Sequence, residues 1–308
     1  MAIIITVVLV SLIATFLFSP NLSLADLSEY AYETLELPDG IKINYRTQGN
    51  QAGSKILLIH GGTDSLDVWD TWASILGQDY CIVTPDLPGH GLSDSWPEGN
   101  YRPEKFAEFI QDFTDALGMD DFIIGGHSYG GDSVLRFCVN YPSQARAMIL
   151  VSPGGYKPNG AMRMNPLVLK MLTGSWGNFI RTHIGTRFLL GKFFHRFFFC
   201  HVTPATEANI DRQVRFWRYE KNRGAGLKLI LNCETDYTEV SGTESITIPT
   251  LLIWGREDQI SPLQVGERLA REIPYAKLKI YDDMGHMSHI ELSQETAQEV
   301  LAFLRGLN

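Results

Sequence analysis

One stretch of the chain decides the fold: Phe122-Ile123-Ile124-Gly125-Gly126-His127-Ser128-Tyr129-Gly130. Its apolar start is typical of a buried strand, and residues 132–140, which follow it, have helical periodicity. Residues 126–130 fit the pattern G-x-S-x-G, in which a serine lies on a strained turn between strand and helix. Glycines let the backbone turn sharply there and let helix and strand approach closely. The stretch therefore predicts a strand, a tight turn that carries Ser128, and a helix.

The alternation of strand and helix continues on both sides of this stretch. Further short apolar runs occur at 55–60, 80–84, 147–151, 250–254 and 278–281, and several stretches between them have helical periodicity. A hairpin precedes them, because residues 32–37 and 41–47 alternate in polarity around Pro38-Asp39-Gly40. Strands that alternate with helices predict an α/β fold, with a mostly parallel sheet covered on both faces.

The alternation lapses between residues 155 and 245. This stretch has 13 Lys and Arg against 7 Asp and Glu, a balance of +6, which leaves −15 for the remainder of a chain whose net charge is −9. Segments 188–199, which is rich in aromatic residues, and 209–219 are compatible with helices. We predict that 155–245 is a helical cap inserted into a core made of 26–154 and 246–308. The negative net charge argues against a nucleic-acid partner.

The first 25 residues are predicted to be a signal peptide or an N-terminal membrane anchor. Residues 2–18 are predominantly apolar and carry no charge, and Ser23-Leu24-Ala25 places small residues where signal peptidase requires them. Cleavage would give a chain that starts at Asp26. The positively charged start of a signal peptide is missing, however, and the run reaches the lower end of the roughly 17–25 residues that span a bilayer. The protein is thus expected to be exported, to the periplasm or the medium, or anchored to a membrane.

The four cysteines show no C-x-x-C spacing, so neither a zinc site nor a thioredoxin-like pair is predicted. Cys81 lies in a strand-like run and Cys138 in a helix-like run, and we expect both to be buried thiols. Cys200 and Cys233 could form a disulfide within the insert, which the sequence alone does not decide.

A serine hydroxyl is a weak nucleophile near neutral pH, and it needs a histidine as base and a carboxylate that orients this histidine. Asp258 and His286 each lie just after a predicted strand, and so at the carboxyl edge of the sheet. Ser128, Asp258 and His286 are therefore the candidate nucleophile, acid and base. His289 could replace His286, and Glu257 could replace Asp258, but the glycine before His286 and the position of Asp258 in its loop favour the first assignment.

A tetrahedral intermediate at Ser128 would need N–H donors for its oxyanion. We predict the backbone N–H of Tyr129, which follows the serine, and that of Gly62, which follows the strand-like run at 55–60. Thr63 is the alternative to Gly62.

Four other polar residues in these loops are predicted to be structural. We expect His60, His90 and His127 to hold loops by hydrogen bonds. Asp86, at the start of a turn, is expected to accept hydrogen bonds from backbone N–H groups.

Three further motifs carry a resemblance to a family: His60-Gly61-Gly62, Asp86-Leu87-Pro88-Gly89-His90-Gly91-Leu92-Ser93 and Gly285-His286-Met287-Ser288-His289-Ile290-Glu291. Over residues 30–307 the chain resembles the α/β-hydrolase superfamily, whose oxyanion loop, D-x-x-G-x-G-x-S turn and histidine loop these motifs match. The order Ser, Asp, His is also that of these enzymes. The resemblance implies a mostly parallel eight-stranded sheet with a helical cap after the sixth strand. A serine in place of an aspartate nucleophile disfavours epoxide hydrolysis and haloalkane dehalogenation.

The expected activity is hydrolysis of a carboxylic ester by a serine hydrolase that needs no metal and no organic cofactor. A cap helix packed on the core is the first interpretation of 188–199, but these residues could also line an apolar pocket or touch a membrane, and the basic residues of the cap could bind anionic lipid. These two features favour a hydrophobic ester. Carbon–carbon bond hydrolysis of a ring-fission diketone is the alternative. A catalytically inactive binding protein of the same fold is a third reading, and the oligomeric state is left open.

Overall fold

The computed structural model describes residues 22–156, 206–222, 225, 228–229, 232 and 237–307. Its sheet has eight strands, which are β1 Glu33–Glu36, β2 Lys42–Gly49, β3 Lys55–Ile59, β4 Cys81–Pro85, β5 Phe122–His127, β6 Ala145–Val151, β7 Thr250–Gly255 and β8 Ala276–Tyr281. They lie in the order β1-β2-β4-β3-β5-β6-β7-β8. β2 is antiparallel to both of its neighbours, and the other pairs are parallel. The predicted mostly parallel eight-stranded sheet is confirmed.

Helices flank the sheet on both faces. They include α1 Asp70–Leu76, α2 Pro103–Ala116 and α3 Ser128–Asn140, whereas α4 Glu207–Trp217 belongs to the insert. After β7 follow α5 Leu263–Glu272, α6 Ser288–Glu291 and α7 Ser293–Arg305. Short 3-10 helices lie at Ala25–Tyr30, Leu66–Trp69 and Thr243–Ser245.

The alternation of side chains along each strand divides the core into two layers. In β3, Leu57 and Ile59 pack with α2, α3 and α5, whereas Ile56 and Leu58 pack with α1 and α7. Successive side chains of a strand point to opposite faces, so a strand covered on both sides must be apolar throughout. Each fully buried large apolar side chain contributes about 1.5–3 kcal/mol through burial. The runs that predicted the strands are apolar because both faces of these strands are covered.

The parallel register brings the loops of the site together. Ile59 at the end of β3 is paired with Gly126 near the end of β5, and His127 is paired with Val151 at the end of β6. Chain segments that leave these strands therefore emerge side by side at one edge of the sheet.

The insert lies between β6 and β7, and its described part includes α4. Thr206 caps this helix, since its hydroxyl oxygen accepts a hydrogen bond from the Asn209 N–H at 3.2 Å. The helix predicted at 209–219 is thus present, although it begins and ends two residues earlier. Segment 188–199, Cys200 and Cys233 lie outside the described residues, and the boundaries 155–245 stay a prediction.

Cys81 and Cys138 are buried free thiols, as expected. Residues 1–21 lie outside the described part of the chain. Among the residues that the structure does describe, no helix has the length and apolar character needed to span a membrane.

Candidate active site

Ser128 lies at the sharp turn between β5 and α3, with a φ of +51°. This left-handed conformation is uncommon for a residue with a side chain and indicates local strain. The flanking glycines are required by close approach: a Cβ at Gly126 would lie 2.8 Å from the carbonyl oxygen of Gly130, and a Cβ at Gly130 would overlap the carbonyl oxygen of His60. The turn that the G-x-S-x-G pattern predicts is therefore present.

Three side chains form one hydrogen-bonded line. His286 Nε2 lies 2.8 Å from Ser128 Oγ, and His286 Nδ1 lies 2.9 Å from Asp258 Oδ2. The carboxylate can only accept, so Nδ1 donates to it and Nε2 is left to accept the Ser128 hydroxyl proton. Asp258 and His286 are both buried. The structure thus brings together the three residues that the sequence selected, in the relative order that a nucleophile, a base and an orienting acid require.

The loop after β7 fixes the carboxylate. Asp258 Oδ1 accepts hydrogen bonds from the N–H groups of Ile260 at 2.8 Å and Ser261 at 2.9 Å. The Ser261 hydroxyl donates to the Pro153 carbonyl at 2.8 Å and so attaches this loop to the end of β6. Glu257, the alternative acid, is exposed to solvent.

The histidine loop is held through its backbone. His127 Nε2 lies 3.1 Å from the carbonyl oxygen of His286, and the Gly285 N–H donates to Glu291 Oε1 at 3.0 Å. Burial, together with the nearby His289 and His286, holds the pKa of His127 well below its usual value. His127 therefore stays neutral, and its Nε2–H is the donor to His286.

His289, the alternative base, faces a different environment. Its ring centroid lies 4.3 Å from that of His127 and 4.7 Å from that of Trp69. Burial lowers the pKa of His289 to about 3. The imidazole that contacts Ser128 is that of His286, so His289 is a buried stacking residue of the same loop.

His60 and His90 hold loops beside the site, as expected. His60 accepts from the Leu87 N–H at 2.9 Å through Nε2, and its Nδ1 lies 2.7 Å from the Gly61 carbonyl oxygen. His90 Nδ1 lies 3.1 Å from the Pro88 carbonyl oxygen. Burial lowers the pKa of His60 to about 3 and that of His90 to about 4, so both rings are neutral near pH 7.

Asp86 has the predicted structural role. It accepts hydrogen bonds from the N–H groups of Leu66 at 2.8 Å and Leu92 at 2.9 Å, and from Asn44 Nδ2 at 2.7 Å. Burial and the nearby Asp67 raise the pKa of Asp86 to about 7, while these hydrogen bonds act in the opposite direction. The carboxyl joins β2, the loop after β3 and the turn after β4.

The two proposed oxyanion donors lie beside each other. A Cβ at Gly62 would lie 3.6 Å from the Cβ of Tyr129, and one at Gly61 would lie 3.3 Å from the Cβ of Ser128. Tyr129 is the second residue of α3, directly after the nucleophile. Thr63 adopts a φ of +65°, and its carbonyl oxygen accepts a hydrogen bond from Gln213 of α4.

One residue of the insert lies close to Gly62. Leu229 is buried, and its Cδ2 would lie 3.2 Å from a Cβ at Gly62. The insert therefore brings an apolar side chain to the proposed oxyanion loop.

A buried polar network next to the serine has no motif in the sequence. Asp132 Oδ1 accepts from Arg136 Nε at 3.0 Å, and Asp132 Oδ2 accepts from the Tyr237 hydroxyl at 2.7 Å. The Gly155 N–H donates to the same hydroxyl at 2.6 Å, and Arg136 Nη2 donates to the Thr238 carbonyl at 2.5 Å. The network joins α3 to both ends of the insert. The Asp–Arg spacing of four residues was its only local signal.

Known proteins resemble the chain along most of its length. It is 27% identical to Lipase 1 of Psychrobacter immobilis over 287 residues. The match covers 90% of this chain and 84% of the lipase. It is also 27% identical over 273 residues to the 2-hydroxy-6-oxo-6-phenylhexa-2,4-dienoate hydrolase of Burkholderia cepacia, covering 85% and 92% of the two chains.

The fold has solved counterparts as well. A crystal structure of a bacterial membrane phospholipase A superposes with a TM-score of 0.75 at 22% identity, over 99% of this chain and 97% of the other. The family model described as alpha/beta hydrolase fold matches residues 55–292. This match shows the family, and the strand order and the turn at Ser128 agree with it. The chain belongs to the alpha/beta hydrolase fold family.

Proposed function

We propose that this hydrolase-fold enzyme cleaves carboxylic esters with a hydrophobic acyl group, through a covalent acyl-enzyme on Ser128. The observation that carries the proposal is the contact of His286 with both Ser128 Oγ and Asp258. A serine within hydrogen-bond reach of a base that is itself oriented by a carboxylate is the arrangement of an activated nucleophile.

In the proposed reaction His286 Nε2 takes the hydroxyl proton of Ser128 while Oγ attacks the ester carbonyl carbon. Asp258 stabilises the imidazolium that forms. The negative charge that develops on the carbonyl oxygen is stabilised by the N–H groups of Tyr129 and Gly62. The imidazolium then gives its proton to the leaving alcohol as the C–O bond breaks. A water molecule, deprotonated by His286, then attacks the acyl-enzyme. The bond from the acyl carbon to Ser128 Oγ breaks, His286 returns the proton to Oγ, and the acid is released.

The hydrophobic acyl group is supported by the position of Leu229. Its buried side chain lies against Gly62, where the carbonyl end of a bound ester would sit. An apolar wall favours an acyl chain over a polar substituent, because burying a polar group without a hydrogen bond costs roughly 1–3 kcal/mol. The lipase among the relatives is consistent with this choice of substrate.

The first test is labelling of the purified full-length chain in detergent with a fluorophosphonate probe. We expect wild type to be labelled and Ser128→Ala to be inert. Ser143→Ala is the matched control, because Ser143 is an exposed serine on the segment before β6. A series of p-nitrophenyl esters should then give the highest turnover at medium or long acyl chains. A folded wild-type protein that resists labelling would overturn the proposal and favour a binding protein.

Carbon–carbon bond hydrolysis is the second candidate, because the Burkholderia cepacia hydrolase is as similar to this chain as the lipase is. The two activities separate in one assay. Labelling of Ser128 without turnover of any ester in the series, but with loss of the yellow colour of a ring-fission diketone, would favour the second candidate.

A further inference from the structure

The first described residues are attached to the end of the cap helix α4. The Leu22 N–H donates to the Arg218 carbonyl at 2.9 Å, and the Glu220 N–H donates to the Leu22 carbonyl at 3.1 Å. Leu22 and Tyr219 thus form a parallel β-bridge. We call residues 22–30 the N-terminal strap.

Apolar side chains reinforce this bridge. Leu27 of the strap is fully buried in a cluster with Phe216, Tyr219 and Leu92, the last of which belongs to the turn after β4. The Tyr30 ring meets that of Phe216 edge-on at 5.0 Å. The strap therefore packs against α4 and against the core at the same time.

Charge is matched across the same contact. Arg215 of α4 pairs with the Glu29 carboxylate at 2.5 Å and donates to the Asp26 carbonyl at 2.5 Å. Asp26 in turn accepts from the Ser23 N–H at 2.9 Å and from the Ser23 hydroxyl at 2.7 Å. The strap and α4 are complementary in shape, in backbone pairing and in charge.

This complementarity bears on the fate of the leader. Cleavage after Ala25 would remove Leu22 and Ser23, and with them both backbone bonds to the cap and both bonds to Asp26. A signal peptide that is cut during export leaves before the protein folds, so its last residues gain nothing from a partner in the folded protein. The residues before the apparent cleavage site have such partners.

The strap also connects the first described residues to the site. Phe18 ends the apolar run and precedes Leu22 by four residues, which span at most about 14 Å of extended chain. At its other contact α4 reaches the proposed oxyanion loop, because Gln213 donates to the Thr63 carbonyl. One helix thus contacts both the N-terminal strap and the loop beside Ser128.

We infer that the leader is retained as a membrane anchor, and that the N-terminal strap holds the cap at the bilayer surface, so that the Ser128 site takes lipid esters from the membrane. The choice of substrate rests on the proposed function, whereas retention of the leader does not. In this proposal residues 1–21 lie in a bilayer, and hydrolysis releases a fatty acid at the bilayer surface.

Retention is tested with the full-length chain carrying a C-terminal tag, expressed in a bacterial host. We expect the intact mass of the whole chain, found in the membrane pellet after a sodium carbonate wash. A soluble chain that starts at Asp26 would overturn the inference. This readout does not depend on catalysis, so it stands even if Ser128 proves unreactive.

The strap is tested with Leu27→Asn against Leu24→Asn, a control whose leucine is 50% exposed while Leu27 is 0% exposed. Trypsin should cut α4 at Arg215 and Arg218 faster in Leu27→Asn only. In vesicles of phosphatidylethanolamine and phosphatidylglycerol, that variant should hydrolyse p-nitrophenyl palmitate at least about tenfold more slowly, since a misplaced cap misplaces the substrate. Turnover of p-nitrophenyl acetate in solution should stay close to wild type and shows that the variant is folded. Equal trypsin sensitivity in both variants would overturn the role of the strap.

Discussion

The loops around Ser128 and the contacts that hold the insert are built in different ways. The loops depend on backbone contacts over a few residues, such as the close approach of Gly126 and Gly130 or the bond from the Ser261 N–H to the Asp258 carboxylate. The insert is held by side chains far apart in sequence, such as Asp132 and Tyr237. Backbone geometry admits few residue types, whereas a side-chain network can be assembled in many ways. Short motifs therefore mark the first region and not the second.

The largest effect is expected at the triad, where a change should remove activity without unfolding the protein. Asp258→Asn should lower kcat about 10⁴-fold, because an amide favours the wrong tautomer of His286. Glu257→Gln is the matched control, with an exposed side chain one residue away, and should keep wild-type kcat. Steady-state kinetics on a p-nitrophenyl ester measures both. Equal losses in the two variants would show that the acid has been misassigned.

A change at the turn should instead remove stability. Gly130→Ala should lower the free energy of unfolding by about 3 kcal/mol, because the new Cβ would overlap the His60 carbonyl oxygen in a packed region. In Gly118→Ala the new Cβ meets no atom within 4 Å, so only the left-handed backbone penalty of about 1–2 kcal/mol applies. Urea unfolding followed by fluorescence compares the two variants. A Gly130→Ala protein as stable as the control would break the argument that backbone approach fixes this loop.

The network at the insert should tolerate change better than the loops. Tyr237→Phe removes a hydroxyl that donates to Asp132 and accepts from Gly155, and should cost about 1–3 kcal/mol of stability. Its kcat on a short soluble ester should stay near wild type, since no atom of Tyr237 is assigned to the reaction. Tyr275→Phe, at a tyrosine that is 62% exposed, is the control for stability. A loss of kcat as deep as that of Asp258→Asn would erase the distinction between the two regions.

The smallest effect is expected from protonation of His289, which should make the free energy of unfolding depend on pH. Its ring nitrogens have no hydrogen-bond partner among the described residues. Burial lowers the pKa of His289 to about 3, so the unfolded chain binds the proton more readily than the folded one. This difference in pKa contributes to the free energy of unfolding. The contribution is fully present above a pH of about 6.5, the pKa of the histidine in the unfolded chain, and it decreases as the pH falls below that value.

Relative to His289→Phe, the wild type should therefore lose about 1 kcal/mol of unfolding free energy between pH 6.5 and 5.5. The ester activity of this variant should survive at pH 7.5, because the ring that contacts Ser128 is that of His286. Parallel pH dependence in the two proteins would contradict the buried neutral state of His289.

Much of the fold could be predicted because apolar runs and periodicity are local. The run at 122–126 became β5 Phe122–His127, and that at 250–254 became β7 Thr250–Gly255. The placement of β3 between β4 and β5 could not be read in this way, since strand order depends on how the connections cross the sheet.

The candidate site also has parts that follow from local sequence and parts that depend on long-range packing. Ser128, Asp258 and His286 follow strands, and strand ends meet at one edge, so their proximity could be inferred. The bond from His127 to the His286 carbonyl, the Asp132 network and the attachment of Leu22 to the cap depend on side-chain directions and on long-range packing. Apart from the four-residue spacing of Asp132 and Arg136, no period or motif in the sequence carries that information.

The N-terminal strap also constrains the order in which the protein assembles during translation. Glu29 and its partner Arg215 are 186 residues apart, so the segment that leaves the ribosome first waits for a helix made much later. At a synthesis rate of 5–20 residues per second this delay is roughly 10–40 s. During that time Leu27 has no apolar partner from α4, and the nascent chain exposes it. The contacts of this early segment can therefore be completed only after α4 has been made.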